Sequence, residues 1–163
     1  GIEINNDSVW HIPPKYFNIN NPYKNKILLA VVRNPYERIV SKFKYDCKQS
    51  EEPIKINREN LNNFVSNIPN IIKENKFFNG CHYLPQYEYV DYKSALRFEI
   101  IRFENIEDDL NKILQKYNLK KKKLDSYNSS GNKVSVNDLD NNSIRIINEI
   151  YKKDFELFGY PKI

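Results

Sequence analysis

The chain has 163 residues, 40% of them hydrophobic and 13% aromatic, which suits a single folded domain with its own core. A net charge of +5 favours an anionic partner: a phosphorylated cofactor, an acidic polymer or nucleic acid. Four glycines exclude collagen-like and Gly-linker architectures, Cys47 and Cys81 are too few for a disulfide-dense scaffold or a zinc ribbon, and no apolar run approaches the roughly 18–20 residues that cross a bilayer.

Residues 1–26 read as irregular, with Pro13-Pro14 and an Asn/Pro stretch at Asn18–Pro22. Gly1 stands where a Met is expected, so it reads as a processing or cloning remnant with sequence upstream of it. The run Lys26-Ile-Leu-Leu-Ala-Val-Val32 is apolar throughout and ends abruptly, the pattern of a strand buried on both faces of a parallel sheet. A helix is expected directly after it. Asn34 can cap, Pro35 suits the first helical position, and Tyr36, Ile39, Val40 and Phe43 share one face.

A second helix is expected over Arg58–Ile68, with Leu61, Phe64, Val65 and Ile68 on one side. Phe77–Tyr92 reads as a long ordered aromatic loop, and Phe98–Phe103 as a second buried strand. Glu104–Tyr117 has helical phasing through Ile106, Leu110, Ile113, Leu114 and Tyr117. Residues 118–140 are polar. They carry the Lys120–Lys123 run, read as a solvated segment, and the loop Asn128–Lys133. A last helix is expected from Asn142 to Leu157, ended by Gly159 and Pro161. A strand followed by a helix, twice, argues for an α/β sheet with crossover helices.

In parallel sheets ligands bind beyond the carboxyl ends of strands. Both strands end in Arg, at Arg33 and Arg102. Arg33 also stands at a helix N-terminus, whose free N–H groups and dipole favour an anion. Ser41 lies about two turns into that helix, on a flank where a ligand held by Arg33 could reach it. The plain alternative is a helix-start charge and a small helix residue. Arg102 is expected to pair with Glu104 or Asp154, a structural role.

Val32-Arg-Asn-Pro-Tyr-Glu-Arg-Ile-Val-Ser-Lys-Phe43 resembles the 3′-phosphate-binding segment of sulfotransferases that use PAPS (3′-phosphoadenosine-5′-phosphosulfate), in the form of their carbohydrate branch. Trp10–Lys15, His82-Tyr-Leu-Pro-Gln86, Ile101–Asp109 and Tyr151–Tyr160 resemble further segments of that family in the same order. The likeness spans nearly the whole chain. It implies one domain over residues 1–163, with an α/β, P-loop-kinase-like three-layer fold: a parallel sheet flanked by helices, truncated at the N-terminus.

The resemblance also implies roles. Arg33 and Ser41 hold the nucleotide's 3′-phosphate through a charge-assisted grip. Lys133 is a further phosphate contact at the loop beside the nucleotide. His11 answers to the position of a catalytic base, since a neutral imidazole can accept a hydroxyl proton. His82 and Gln86 lie on the acceptor side or support the core. The expected reaction is in-line sulfuryl transfer to a hydroxyl, of a carbohydrate by the branch resembled, with adenosine 3′,5′-bisphosphate as product and no metal.

Members of this family begin with a strand, a phosphosulfate-binding loop bearing Lys and Ser/Thr, and a helix. Residues 1–9 contain no Lys and do not resemble it. The expectation is that sequence upstream or a second chain supplies this element, or that the domain binds nucleotide or glycan without turnover. A nucleic-acid-binding reading rests on charge alone, because no recognition motif matches; nucleic acid is not expected as a partner. Cys47 and Cys81 could pair in an oxidising compartment, though no spacing brings them together.

Overall fold

The computed structural model describes residues 11–16, 26–90, 97–125 and 133–163. The two expected strands form. β1 (Ile27–Val32) pairs in parallel with β2 (Arg97–Arg102), in a register that sets Val32 opposite Arg102. Arg33 and Arg102 therefore emerge at the same end of the sheet, the carboxyl end. The architecture is α/β, with a parallel two-stranded sheet and helices among the described residues.

Burial on both faces of β1 does not hold. Val32 is buried, whereas Ile27, Leu29 and Val31 on the opposite face are 43%, 52% and 51% exposed. Alternation along a pleated strand sends these two sets to different faces. Among the described residues β1 has β2 as its single strand neighbour, and the helix that follows β2 packs on β2 instead of over β1.

α1 (Pro35–Gln49) begins as its sequence dictates. Asn34 accepts the Tyr36 amide at 3.0 Å through its side chain, a cap that contributes about 1 kcal/mol. Pro35 follows at a position where no N–H is required. The face of Tyr36, Ile39, Val40 and Phe43 is buried in the main core, as the spacing predicts.

α2 runs over Arg58–Glu74, six residues beyond the expected end. Pro69 inside it removes one backbone donor, yet Ile71 and Ile72 pack against the core and carry the helix onward. The aromatic loop is ordered through two short 3₁₀ turns, Phe78–Cys81 and Gln86–Tyr89.

α3 (Ile106–Lys116) starts after a 3₁₀ turn at Phe103–Asn105 and packs on β2. Its apolar stripe is only partly covered, and none of its residues is fully buried. Lys116 and Tyr117 both bond Glu99, which shares the face of Leu29 in the parallel register.

The expected C-terminal helix is two helices, α4 (Asn141–Ile150) and α5 (Lys152–Phe158). The break falls at Tyr151, which is fully buried and donates its hydroxyl to the Tyr83 carbonyl at 3.0 Å. Gly159 ends α5 in the left-handed conformation, φ +65°, as its sequence position predicts. α1, α2 and α4 pack against one another, and with α5 they enclose the core.

Candidate functional site

The sheet's carboxyl end is a meeting point of four segments that are distant in sequence. The Arg33 backbone is held at both of its polar groups by one side chain. Arg33 N donates to Gln86 Oε1 at 2.8 Å, and Gln86 Nε2 donates to the Arg33 carbonyl at 2.8 Å. Next along the turn, the Asn34 amide donates to Glu104 Oε1 at 2.8 Å. The other oxygen of Glu104 accepts the Tyr160 hydroxyl at 2.9 Å.

These contacts correct one expectation. The helix N-terminus was read as a source of free N–H groups for an anion. The amides of Arg33, Asn34 and Tyr36 are taken by Gln86, Glu104 and Asn34, and Pro35 has none, so that among the described residues the Glu37 amide is the first-turn donor left without a partner. An anion at this turn meets side chains and, from the backbone, the Glu37 amide. Arg33 offers the fitting group: its guanidinium lies 4.5 Å from the centre of the Phe103 ring, a cation–π placement that orients the planar fork. Its side chain is 26% exposed, and its one carboxylate contact among the described residues is to Glu37, at 3.5 Å. Ser41 sits one turn beyond Glu37 on the same helix flank and is half-buried.

Behind the turn lies Asp154, 0% exposed. It accepts the Gln86 amide at 2.7 Å and the Tyr87 amide at 2.8 Å. Burial pushes its pKa up, while those amides and the charge of Arg38 oppose the shift. Arg102 does not pair with Glu104 or Asp154 as expected. Its guanidinium donates to the Phe158 carbonyl and lies over the Tyr160 ring. Glu104 and Asp154 are already committed to backbone amides elsewhere.

His11 and His82 meet edge to face, with ring centroids 5.3 Å apart. The backbone beneath them is unusual: Asn79, Gly80 and Cys81 all have positive φ, at 50°, 63° and 64°. A Cβ on Gly80 would lie 3.3 Å from His11 Cδ2, so the glycine serves both the left-handed turn and the approach of the ring. His11 is exposed and His82 is half-buried. Burial holds the His82 pKa below the ordinary imidazole range, reinforced by the charges of Lys42, His11 and Arg38. Arg38 donates to the His82 carbonyl at 2.7 Å. α1 thus supports both features: Arg33 at its head, Ser41 on its flank, and Arg38 beneath the histidine pair.

A model of the sulfotransferase family matches residues 5–161. The chain belongs to that family. No curated protein and no solved structure matches it. Segments distant in sequence converge in space: the Arg33 turn, the His82–Gln86 stretch, the Glu104 turn and the C-terminal segment all meet at the sheet's carboxyl end.

Other expected residues stand apart. Lys133 is exposed, and no described contact brings it to the Arg33 turn. Most of its loop lies outside the described residues, as does Trp10. Cys47 and Cys81 are both free thiols, Cys81 fully buried in a small cluster with Ile12 and Leu84. The bridge suggested as an option does not form.

The residues missed from sequence are Asp154 as an amide acceptor, Glu104 as a clip on the neighbouring turn, and Arg38 under His82. Asp154 alone carried a readable signal: a carboxylate on the helix face that also bears Tyr151 and Phe158 is placed to be buried, and buried carboxylates require donors.

Proposed function

We propose that the chain transfers a sulfuryl group from PAPS to a hydroxyl of a carbohydrate, within a single domain of P-loop-kinase-like, three-layer architecture. The observation that carries this reading is the Arg33 guanidinium: stacked on Phe103 at the end of a parallel strand, partly exposed, and only loosely tied to Glu37. Its planar, permanently charged fork suits the bidentate grip of a phosphate. Ser41 adds a hydroxyl, and no hydrogen bond ties its Oγ to another described residue. These residues fit the 3′-phosphate of PAPS, with Lys133 as a further phosphate contact.

PAPS supplies the activated sulfuryl group and leaves as adenosine 3′,5′-bisphosphate. In the attack the acceptor oxygen forms the new bond to sulfur, and the bridging bond from sulfur to the 5′-phosphate oxygen breaks. His11 takes the acceptor's proton on an imidazole nitrogen. His82, held by Arg38 and kept neutral by burial, sets the orientation of that ring from the acceptor side. Gln86 supports Arg33 and not the acceptor, because its carboxamide is engaged at both ends.

Calorimetric titration of adenosine 3′,5′-bisphosphate into wild type and Arg33→Ala tests the reading. A charged hydrogen bond contributes about 1.5–3 kcal/mol, so the substitution is expected to weaken binding about ten- to hundredfold. Equal affinity for the two proteins refutes it.

A further inference from the structure

The contact between Gln86 and Arg33 has a chemical requirement that few side chains meet. It needs one donor and one acceptor, spaced to match the N–H and C=O of a single residue at a strand's end. A carboxamide has both; a carboxylate lacks the donor, and a lysine lacks the acceptor. Gln86 thus completes Arg33 in the manner of a neighbouring strand, at the point where β1 turns away into α1. Both distances are 2.8 Å, and Gln86 itself is buried.

Gln86 is in turn fixed. Asp154 accepts its backbone amide at 2.7 Å, and the same Oδ2 lies 3.4 Å from Nε2. The second oxygen, Oδ1, accepts the amide of Tyr87 at 2.8 Å. A fully buried carboxylate is costly unless its oxygens are matched with donors. Three N–H groups from two adjacent residues supply that match, so Asp154 and the 86–87 segment lock each other. The chain of contacts runs Asp154, Gln86, Arg33 backbone. It ends at the residue whose guanidinium lies on Phe103 at the candidate phosphate site.

From this geometry we infer that Gln86 and Asp154 are positioning residues for anion recognition: they fix the Arg33 backbone so that the guanidinium faces a 3′-phosphate, and thereby set the preference for 3′-phosphorylated over plain adenosine nucleotides. The inference rests on the reading of Arg33 given above and deepens it. A side chain that merely filled the core would affect every nucleotide alike. A side chain that aims Arg33 affects only ligands with the group Arg33 holds.

The test is a ratio. Dissociation constants for adenosine 3′,5′-bisphosphate and for adenosine 5′-monophosphate are measured for wild type, Gln86→Glu, Gln86→Met and Asp154→Asn, at a temperature where circular dichroism shows each protein folded. Gln86→Glu keeps the shape but loses the donor to the Arg33 carbonyl; Gln86→Met keeps the volume but loses both partners. The expected result is a fall of about tenfold in the bisphosphate-to-monophosphate preference, with the monophosphate affinity nearly unchanged, because only the 3′-phosphate contact has lost its geometry.

Preference retained in folded Gln86 variants, or equal losses for both nucleotides, overturns the inference. A wild type without any preference overturns the Arg33 reading instead, so the two failures are distinct. A second measurement needs no variant. In wild type the Gln86 carboxamide protons are expected to exchange slowly and to shift in the NMR spectrum when the bisphosphate is added, but not with the monophosphate. Unshifted resonances on saturation with the bisphosphate also overturn it.

Discussion

Replacement of Gly80 by Ala perturbs the histidine pair without touching either imidazole. Gly80 has φ +63° and lies beneath His11. An L-residue with a Cβ loses about 1–2 kcal/mol in the left-handed region. Part of this is offset, because alanine reduces the freedom of the unfolded chain by about 0.4–1 kcal/mol. The new methyl also meets His11 Cδ2 at 3.3 Å, a contact that requires a shift of a few tenths of an ångström. His11 is exposed, so its ring yields before the backbone does. The net destabilisation is about 1 kcal/mol, or about 2–4 °C in Tm for a domain of this size. Calorimetry reads that change. NMR reads the ring: the chain has two histidines, so their Cε1 protons are easily assigned, and both should shift as the 5.3 Å edge-to-face contact is altered. Gly80→Asn separates the two effects, since asparagine tolerates positive φ while still carrying a Cβ. It should recover most of the Tm but not the ring shifts. A Gly80→Ala protein with unchanged Tm and unchanged histidine resonances would refute this reasoning.

Two further outcomes follow from charges near the site. Glu37→Gln removes the carboxylate that competes for Arg33 at 3.5 Å, and should tighten adenosine 3′,5′-bisphosphate binding up to about fivefold, the range of an exposed ion pair; weaker binding by this variant contradicts the assignment. The burial-depressed pKa of His82 makes the folded state resist protonation, so the unfolded chain binds more protons as pH falls. Its contribution to stability is complete above the ordinary imidazole pKa of about 6.5 and is lost as pH drops toward the lower folded value. Urea unfolding at pH 7 and pH 5 should show wild type losing more stability than His82→Gln, and parallel losses would exclude the effect.

What the sequence could reveal divides along the range of each interaction. Asn34-Pro35 and the spacing of Tyr36, Ile39, Val40 and Phe43 are local signals, and α1 follows them closely. The strands were legible for the same reason. Exposure of Ile27, Leu29 and Val31 was not, because it depends on which elements stack over β1 and not on β1 itself. Continuous periodicity through residues 142–157 concealed the break at Tyr151, which arises from a bond to the Tyr83 carbonyl 68 residues away. The candidate site shows the same division. Arg33 was readable from its place after a strand. The engagement of Gln86 with it spans 53 residues, and that of Asp154 with Gln86 spans 68, so neither has a local signature.

The occupied amides at the Arg33 turn bear on how this protein can recognise a phosphate. A glycine-rich loop binds phosphate through free backbone N–H groups, which requires little side-chain material and places the anion against the main chain. Here the main-chain donors of Arg33 and Asn34 are spent on Gln86 and Glu104, two side chains from other segments. Those bonds leave the Glu37 amide as the turn's one unpartnered backbone donor among the described residues. In the proposed reading, recognition falls mainly to the Arg33 guanidinium and the Ser41 hydroxyl. Glu104 also sets a carboxylate beside the turn, shared between the Asn34 amide and the Tyr160 hydroxyl. In the proposed reading, an anion reaches Arg33 along the Ser41 flank in competition with Glu37. The proposal therefore predicts that changes to Gln86 or Glu104 act on ligand preference through the placement of Arg33, even though neither side chain is assigned a contact with the nucleotide.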